Sequence, residues 1–120
     1  MNNKFKQYPK IDNTTLGIVN FTRYIISPTQ FVLCWYFRDQ KNSRRIRTEQ
    51  WYHQTTETDD GKPHRINGPS IVRYDINGNI VGEEWWVDGY QMADKQEYFR
   101  ELVERGYINK DSTDALAAII

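Results

Sequence analysis

The 120-residue chain predicts an α+β fold: an antiparallel β-meander of about five to seven strands over residues 15–92, followed by a C-terminal α-helix over residues 94–105. Three observations predict it. Val, Ile, Thr and aromatic residues gather in short runs between Leu16 and Val87, which is strand composition. Asn67-Gly68, Asn77-Gly78 and Asp88-Gly89 recur every ten or eleven residues. Such pairs favour tight hairpins, because both central residues of a type I′ turn need positive φ. Beyond Ala93 the apolar pattern changes from period two to helical spacing. A chain of this length supports one core, so residues 1–120 are read as a single domain.

The elements follow in order. Residues 1–14, with Pro9 and the polar Asn13-Thr14, read as a loose leader. Leu16 to Ile26 reads as a strand ended by Ser27-Pro28-Thr29. In Gln30 to Arg38, Phe31, Leu33, Trp35 and Phe37 share one face, and Val32, Cys34 and Tyr36 the other. Both faces are apolar, which predicts a central strand covered on both sides. Asp39 to Ser43 is a polar turn. Arg44 to Tyr52 alternates as an amphipathic strand. His53 to Lys62 reads as a loop, and Pro63 lacks the N–H that ordinary ladder pairing uses. Ser70–Ile76 and Asn79–Val87 form a hairpin about Asn77-Gly78, and a third hairpin stops early at Tyr90-Gln91-Met92.

Asp94 then caps a helix, with Glu97 three residues on as in a capping box. Tyr98, Phe99, Leu102 and Val103 make its apolar stripe, and Gly106 stands where a C′ glycine belongs. Residues 111–120 read as a short second helix or a docking tail.

The composition, 38% hydrophobic, 14% aromatic and 27% charged, is that of a globular chain. No apolar run approaches the roughly 20 residues that cross a bilayer, and Met1-Asn2-Asn3-Lys4 opens no hydrophobic signal segment. The expectation is a protein without a membrane partner, neither membrane-spanning nor conventionally secreted. A single cysteine fits a reducing, cytoplasmic setting. The formal net charge is zero, but residues 1–60 carry nine bases and six acids, whereas residues 61–120 carry seven bases and ten acids. A zero total argues against holding nucleic acid by bulk charge, while the split permits pairing with a charged partner or a second copy.

Catalytic constellations are scarce. Cys34, inside an apolar run, reads as a small buried hydrophobe. His53 and His64 lack metal-pair spacing, and no phosphate-cradling glycine loop or nucleophile elbow occurs. Neither enzymatic activity nor a cofactor or metal is expected.

Three aromatic pairs are more informative: Trp35-Tyr36, Trp51-Tyr52 and Trp85-Trp86. Strand alternation sends one member of each pair to each side of the sheet. If one side is core, the others form an aromatic surface of the kind found at protein interfaces and base-stacking platforms, unless a helix covers them. Trp51, Tyr52, Trp85 and Trp86 are therefore candidate binding residues. So are the basic Arg44, Arg45 and Arg47 and the acidic helix face Glu97, Glu101 and Glu104, two charged surfaces that could meet across a homodimer.

The segment Gly61-Lys62-Pro63-His64-Arg65-Ile66-Asn67-Gly68-Pro69-Ser70, with the later Glu84-Trp85-Trp86-Val87-Asp88-Gly89-Tyr90, resembles a repeat of small phage and bacterial proteins. In that repeat H-R-x-x-G-P-A is followed by a hairpin and E-W-W-x-x-G, and it is distantly similar to MORN repeats. The resemblance covers residues 49–92. It implies stacked antiparallel hairpins with Gly68, Gly78 and Gly89 in turns, and a phage-encoded accessory protein acting in a host cytoplasm. Independently, Arg65 beside Gly68-Pro69 suits donation to backbone carbonyls, a structural role for the His64-Arg65 step. The leading expectation is a non-enzymatic factor that binds and modulates a host protein or defence system. The alternative is a single-stranded RNA- or DNA-binding module using Arg44, Arg45 and Arg47 with exposed aromatics.

Overall fold

A computed structural model describes residues 4–38, 45–55 and 60–109. Its elements are β1 (Lys10–Thr15), β2 (Ile18–Ser27), β3 (Gln30–Tyr36), β4 (Ile46–His53), β5 (Lys62–Pro63), β6 (Ile71–Tyr74), β7 (Ile80–Val87), β8 (Tyr90–Met92) and α1 (Lys95–Glu104). The strands form one antiparallel sheet in the order β1-β2-β3-β4-β6-β7-β8, with β5 paired to the end of β4. This is the α+β meander with a C-terminal helix that the sequence predicts, one strand longer at its beginning. The read leader is partly strand, since Lys10 to Thr15 pairs along β2 from Tyr24 to Ile18. The expected tail at 111–120 and Arg44 lie outside the described residues.

The hairpin chemistry divides. Asp88 and Gly89 both have positive φ, 50° and 87°, and join β7 to β8 as a two-residue turn. At Asn77-Gly78 only Gly78 is left-handed, at φ 88°. The chain there closes instead through Gly78 N–H to Asp75 O, and the Asp75 carboxylate accepts the N–H groups of Asn77 and Asn79. Asn67-Gly68 likewise has a positive φ at Gly68 alone. A further two-residue turn joins β1 to β2 at Leu16-Gly17, where both φ values are positive, 53° and 78°. Leucine carries no turn signal, so the sequence does not predict it.

Pro63 is also placed differently from expectation. It pairs opposite Tyr52, and because it has no N–H its ladder contribution is its carbonyl, which accepts from Gly89 N–H. The adjoining His64 N–H donates to Trp51 O. The short β5 thus bridges β4 to the β7–β8 turn.

Register and alternation define two sheet faces. Thr22, Tyr24, Val32, Cys34, Glu49, Val72 and Trp85 share one of them. Two separate covers close it. The N-terminal segment lays Phe5 on Tyr24 and Trp51, with ring centroids 5.3 and 5.7 Å apart, over a core that includes Val32, Cys34 and Tyr36. Helix α1 lays Tyr98 and Leu102 on Trp85, Val87 and Met92. The helix begins at Asp94, whose side chain accepts from Glu97 N–H, while Glu97 accepts from Ala93 N–H. It ends in a Schellman motif: Gly106 N–H to Val103 O and Tyr107 N–H to Leu102 O, with Gly106 at φ 77°. Tyr98 and Leu102 are buried and their stripe neighbours Phe99 and Val103 half-buried.

The opposite face carries Phe21, Arg23, Phe31, Leu33, Trp35, Gln50, Tyr52, Ile71, Arg73, Glu84 and Trp86. Both covers lie on the other side. The expected double covering of β3 is therefore corrected: Phe31 is buried, but Leu33 and Trp35 stay half-buried. Among the described residues two amphipathic covers close one face and none lies over the second.

Candidate functional site

The aromatic pairs are divided by this arrangement. Tyr36, Trp51 and Trp85 point to the covered face; Trp35, Tyr52 and Trp86 point to the open one. The indole N–H of Trp35 donates to Gln50 Oε1 at 3.0 Å, the Tyr52 hydroxyl to the same oxygen at 3.3 Å, and the Trp86 indole to Glu84 Oε1 at 3.1 Å. Each polar tip is satisfied within the sheet, so what the three side chains present outward is apolar ring. Tyr52 stacks on Phe31 at 5.1 Å, and Gly61 closes on that ring from the loop side.

The cations of this face are largely committed. Arg23 lies 4.0 Å over the Phe31 ring and donates to Gln54, and Arg73 is paired with Glu84. Arg45 reaches Ile76 O at 3.4 Å. Arg47 is exposed at the end of the face. It lies in a groove of about 620 Å³ with Arg38, Phe21, Trp35, Phe37, Asn13 and Asn20 among the lining residues.

Two of the tryptophans chosen from sequence are not surface anchors. Trp85 is 9% exposed, packed against Tyr98 with Lys95 over its ring. Trp51 is half-buried between Phe5 and the Arg65 guanidinium, which stands 4.1 Å from the ring centre. The acidic helix face is also partly committed, Glu97 to the helix start and Glu101 to Arg105 at 2.6 Å; Glu104 is exposed.

The His64-Arg65 step is built into the fold. Arg65 donates to Pro69 O at 3.2 Å, its own carbonyl accepts the Tyr98 hydroxyl, and its guanidinium packs where a side chain at Gly68 would stand. Burial lowers the Arg65 pKa and the nearby Glu49 opposes that shift. Glu49, which sequence reasoning missed, is 1% exposed. Its carboxylate takes the Trp51 indole at 2.6 Å, the Tyr74 hydroxyl at 3.1 Å and Lys4 Nζ at 3.0 Å. That last pair ties the N-terminal cover to the sheet. Burial and the Glu49 charge push the Cys34 thiol up to about 12, so it keeps its proton at neutral pH and lacks nucleophilic character.

A second cluster escaped the sequence reading because its members are far apart in the chain. His53, His64 and Asp88 place one potential ligand atom each within 4.8 Å of one another. Asp88 Oδ1 is 3.1 Å from His53 Nε2 and accepts from the Tyr107 hydroxyl at 2.6 Å; Oδ2 accepts from Arg105 at 3.0 Å. His64 Nδ1 accepts the Asp88 backbone N–H at 3.1 Å, and the two imidazoles stack at 4.4 Å. Burial would raise the Asp88 pKa, but the Tyr107 and Arg105 hydrogen bonds outweigh it and hold the carboxyl below its ordinary value. A divalent ion held through His64 Nδ1 would displace the Asp88 amide from it and share Asp88 with the Arg105 guanidinium. The donor set suits a tie between sheet and helix end better than a metal centre.

No family model, curated protein or solved structure matches this chain. Among the described residues no helix is long and apolar enough to cross a membrane.

Proposed function

We propose that the protein is a non-enzymatic binding factor that engages a partner protein through the open sheet face, with Tyr52 and Trp86 as anchors beside Trp35. The observation that carries this reading is the state of the polar groups there. The aromatic tips are bonded internally, and Arg23 and Arg73 are committed to Phe31, Gln54 and Glu84. Around Tyr52 and Trp86 the face thus offers apolar ring area with the neighbouring Arg23 and Arg73 already paired, which suits the centre of a protein interface better than a phosphate backbone. The likeness of residues 49–92 to the phage hairpin repeat supports an accessory role directed at a host protein in the host cytoplasm. A homodimer joining the acidic helix face to the basic strand draws less support, because Glu97, Glu101 and Arg45 already have partners.

The test is capture from host extract with tagged wild type and with Tyr52→Ala/Trp86→Ala, each first checked for native thermal unfolding. One dominant protein that survives nuclease treatment and is lost with the double variant is the expected result. Recovery that is abolished by nuclease, or that is unchanged by the aromatic substitutions, overturns the reading.

A further inference from the structure

The groove at the β1–β2–β3–β4 end of the open face differs from the rest of that face in its charge. Its polar lining is Asn13, Thr15, Asn20, Arg38 and Arg47, and among the described lining residues there is no carboxylate. Arg38 and Arg47 are exposed, and neither has a hydrogen-bond or ion-pair partner among the described residues. This contrasts with Arg23, Arg65, Arg73 and Arg105, all of which are bonded within the fold.

Two irregularities in the sheet build the groove. The β3–β4 ladder runs Trp35↔Thr48 and then Tyr36↔Ile46, leaving Arg47 as the extra residue of a bulge. The β1–β2 ladder runs Asn13↔Phe21 and then Thr14↔Val19, leaving Asn20 as the extra residue of another. Bulges re-aim side chains and recur beside functional sites. Here both deliver a polar side chain to the same lining.

Between them lies the Phe21–Trp35 ring pair, centroids 4.3 Å apart. The Trp35 N–H is already donated to Gln50, so its ring offers a π-face and no donor. Asn20 donates to Thr15 Oγ1 at 2.6 Å, which leaves its carbonyl oxygen and the Thr15 hydroxyl proton for a ligand edge.

We propose that this groove is a nucleotide site: a base stacks on the Phe21–Trp35–Phe37 aromatic floor, its polar edge meets Asn13, Asn20 and Thr15, and its phosphate is held by Arg38 and Arg47. Paired guanidinium forks match phosphate oxygens in charge and geometry. Base stacking on aromatic side chains tolerates any base. The volume falls within the roughly 300–1,000 Å³ of small-ligand sites. A free mononucleotide and a nucleotide within a single strand share this chemistry. The site shares Trp35 with the proposed partner face but not its anchors Tyr52 and Trp86, so substituting those anchors separates a failure of one reading from a failure of the other.

The probes are the four ribonucleoside monophosphates, the matching nucleosides, inorganic phosphate, and a short single-stranded oligonucleotide. Binding is followed by tryptophan fluorescence and by amide shifts in ¹⁵N spectra. Saturable binding of a monophosphate is expected, tighter than its nucleoside or phosphate alone, with shifts confined to residues 13–21, 35–38 and 47. Arg38→Gln/Arg47→Gln, both exposed and free of internal bonds, should weaken it about tenfold or more. Tyr52→Ala/Trp86→Ala should leave it intact. An oligonucleotide preferred per site identifies a strand as the source, and equal or weaker oligonucleotide binding identifies the free nucleotide. No saturable change with any probe at millimolar concentration and low salt overturns the proposal. So does binding indifferent to the double arginine substitution, or phosphate binding as tight as the nucleotide.

Discussion

The backbone N–H of Asp88 donates to His64 Nδ1 across 24 residues of chain, over 3.1 Å. That bond assigns His64 the neutral tautomer with its proton on Nε2, because an imidazolium has no lone pair to accept it. The ring stacks on His53 at 4.4 Å and meets Tyr107 at 4.6 Å, tilted by 51°. Burial and the neighbouring His53 lower its pKa from 6.5 to about 4, against the opposing pull of Asp88.

Stability should therefore fall with acid in a defined window. The unfolded chain takes up this proton near pH 6.5 and the folded protein only near pH 4. The folded form holds its full advantage above pH 6.5 and loses it progressively down to about pH 4, by about 3 kcal/mol at about 1.4 kcal/mol per pKa unit. Asp88, held low, adds loss of the same sign at still lower pH. Urea unfolding at pH 7, 5 and 4 should show the decline. His64→Asn keeps an acceptor for the Asp88 amide but cannot titrate, so its profile should be flatter; an unchanged slope would place the titration elsewhere.

Leu16 breaks a local rule without gain to the core. It is 96% exposed, yet sits at φ 53° in the β1–β2 turn. A β-carbon in that region costs about 1–2 kcal/mol, less for Asn, whose short polar side chain tolerates it. Leu16→Asn should raise the free energy of unfolding by about 0.5–1 kcal/mol, measured by chemical denaturation. A loss of stability instead would mean that Leu16 makes a contact its exposure hides.

Gly17 and Gly61 separate backbone strain from crowding. Both are left-handed, at φ 78° and 83°. A β-carbon at Gly17 would meet nothing within 4 Å, whereas at Gly61 it would stand 2.9 Å from the Phe31 ring and 3.2 Å from His53 O. Gly17→Ala should cost about 1 kcal/mol and Gly61→Ala at least about 1 kcal/mol more, the excess being overpacking. Introducing Phe31→Leu should recover part of that excess. Equal losses for the two glycines would remove the close approach of the loop to Phe31.

Local chemistry wrote much of the fold legibly. Asp94, Glu97 and Gly106 mark the helix ends because capping is a contact between near neighbours, and Asp88-Gly89 marks its turn because φ is a property of the residue. The period-two runs place one member of each aromatic pair on each side of the sheet, again a local consequence of the pleat. Which side is covered is a different kind of fact. It follows from where Phe5 and Tyr98 come to rest, far in sequence from Val32 and Trp85 respectively. Trp51 and Trp85 therefore pack beneath Phe5 and Tyr98 while Tyr52 and Trp86 face the other side, although each pair reads alike as sequence. The burial of Glu49 beneath Lys4 and Arg65, and the meeting of His53, His64 and Asp88, are decided the same way. Charge and imidazole carry no periodicity that announces a partner, so only strand register and helix docking bring such groups together.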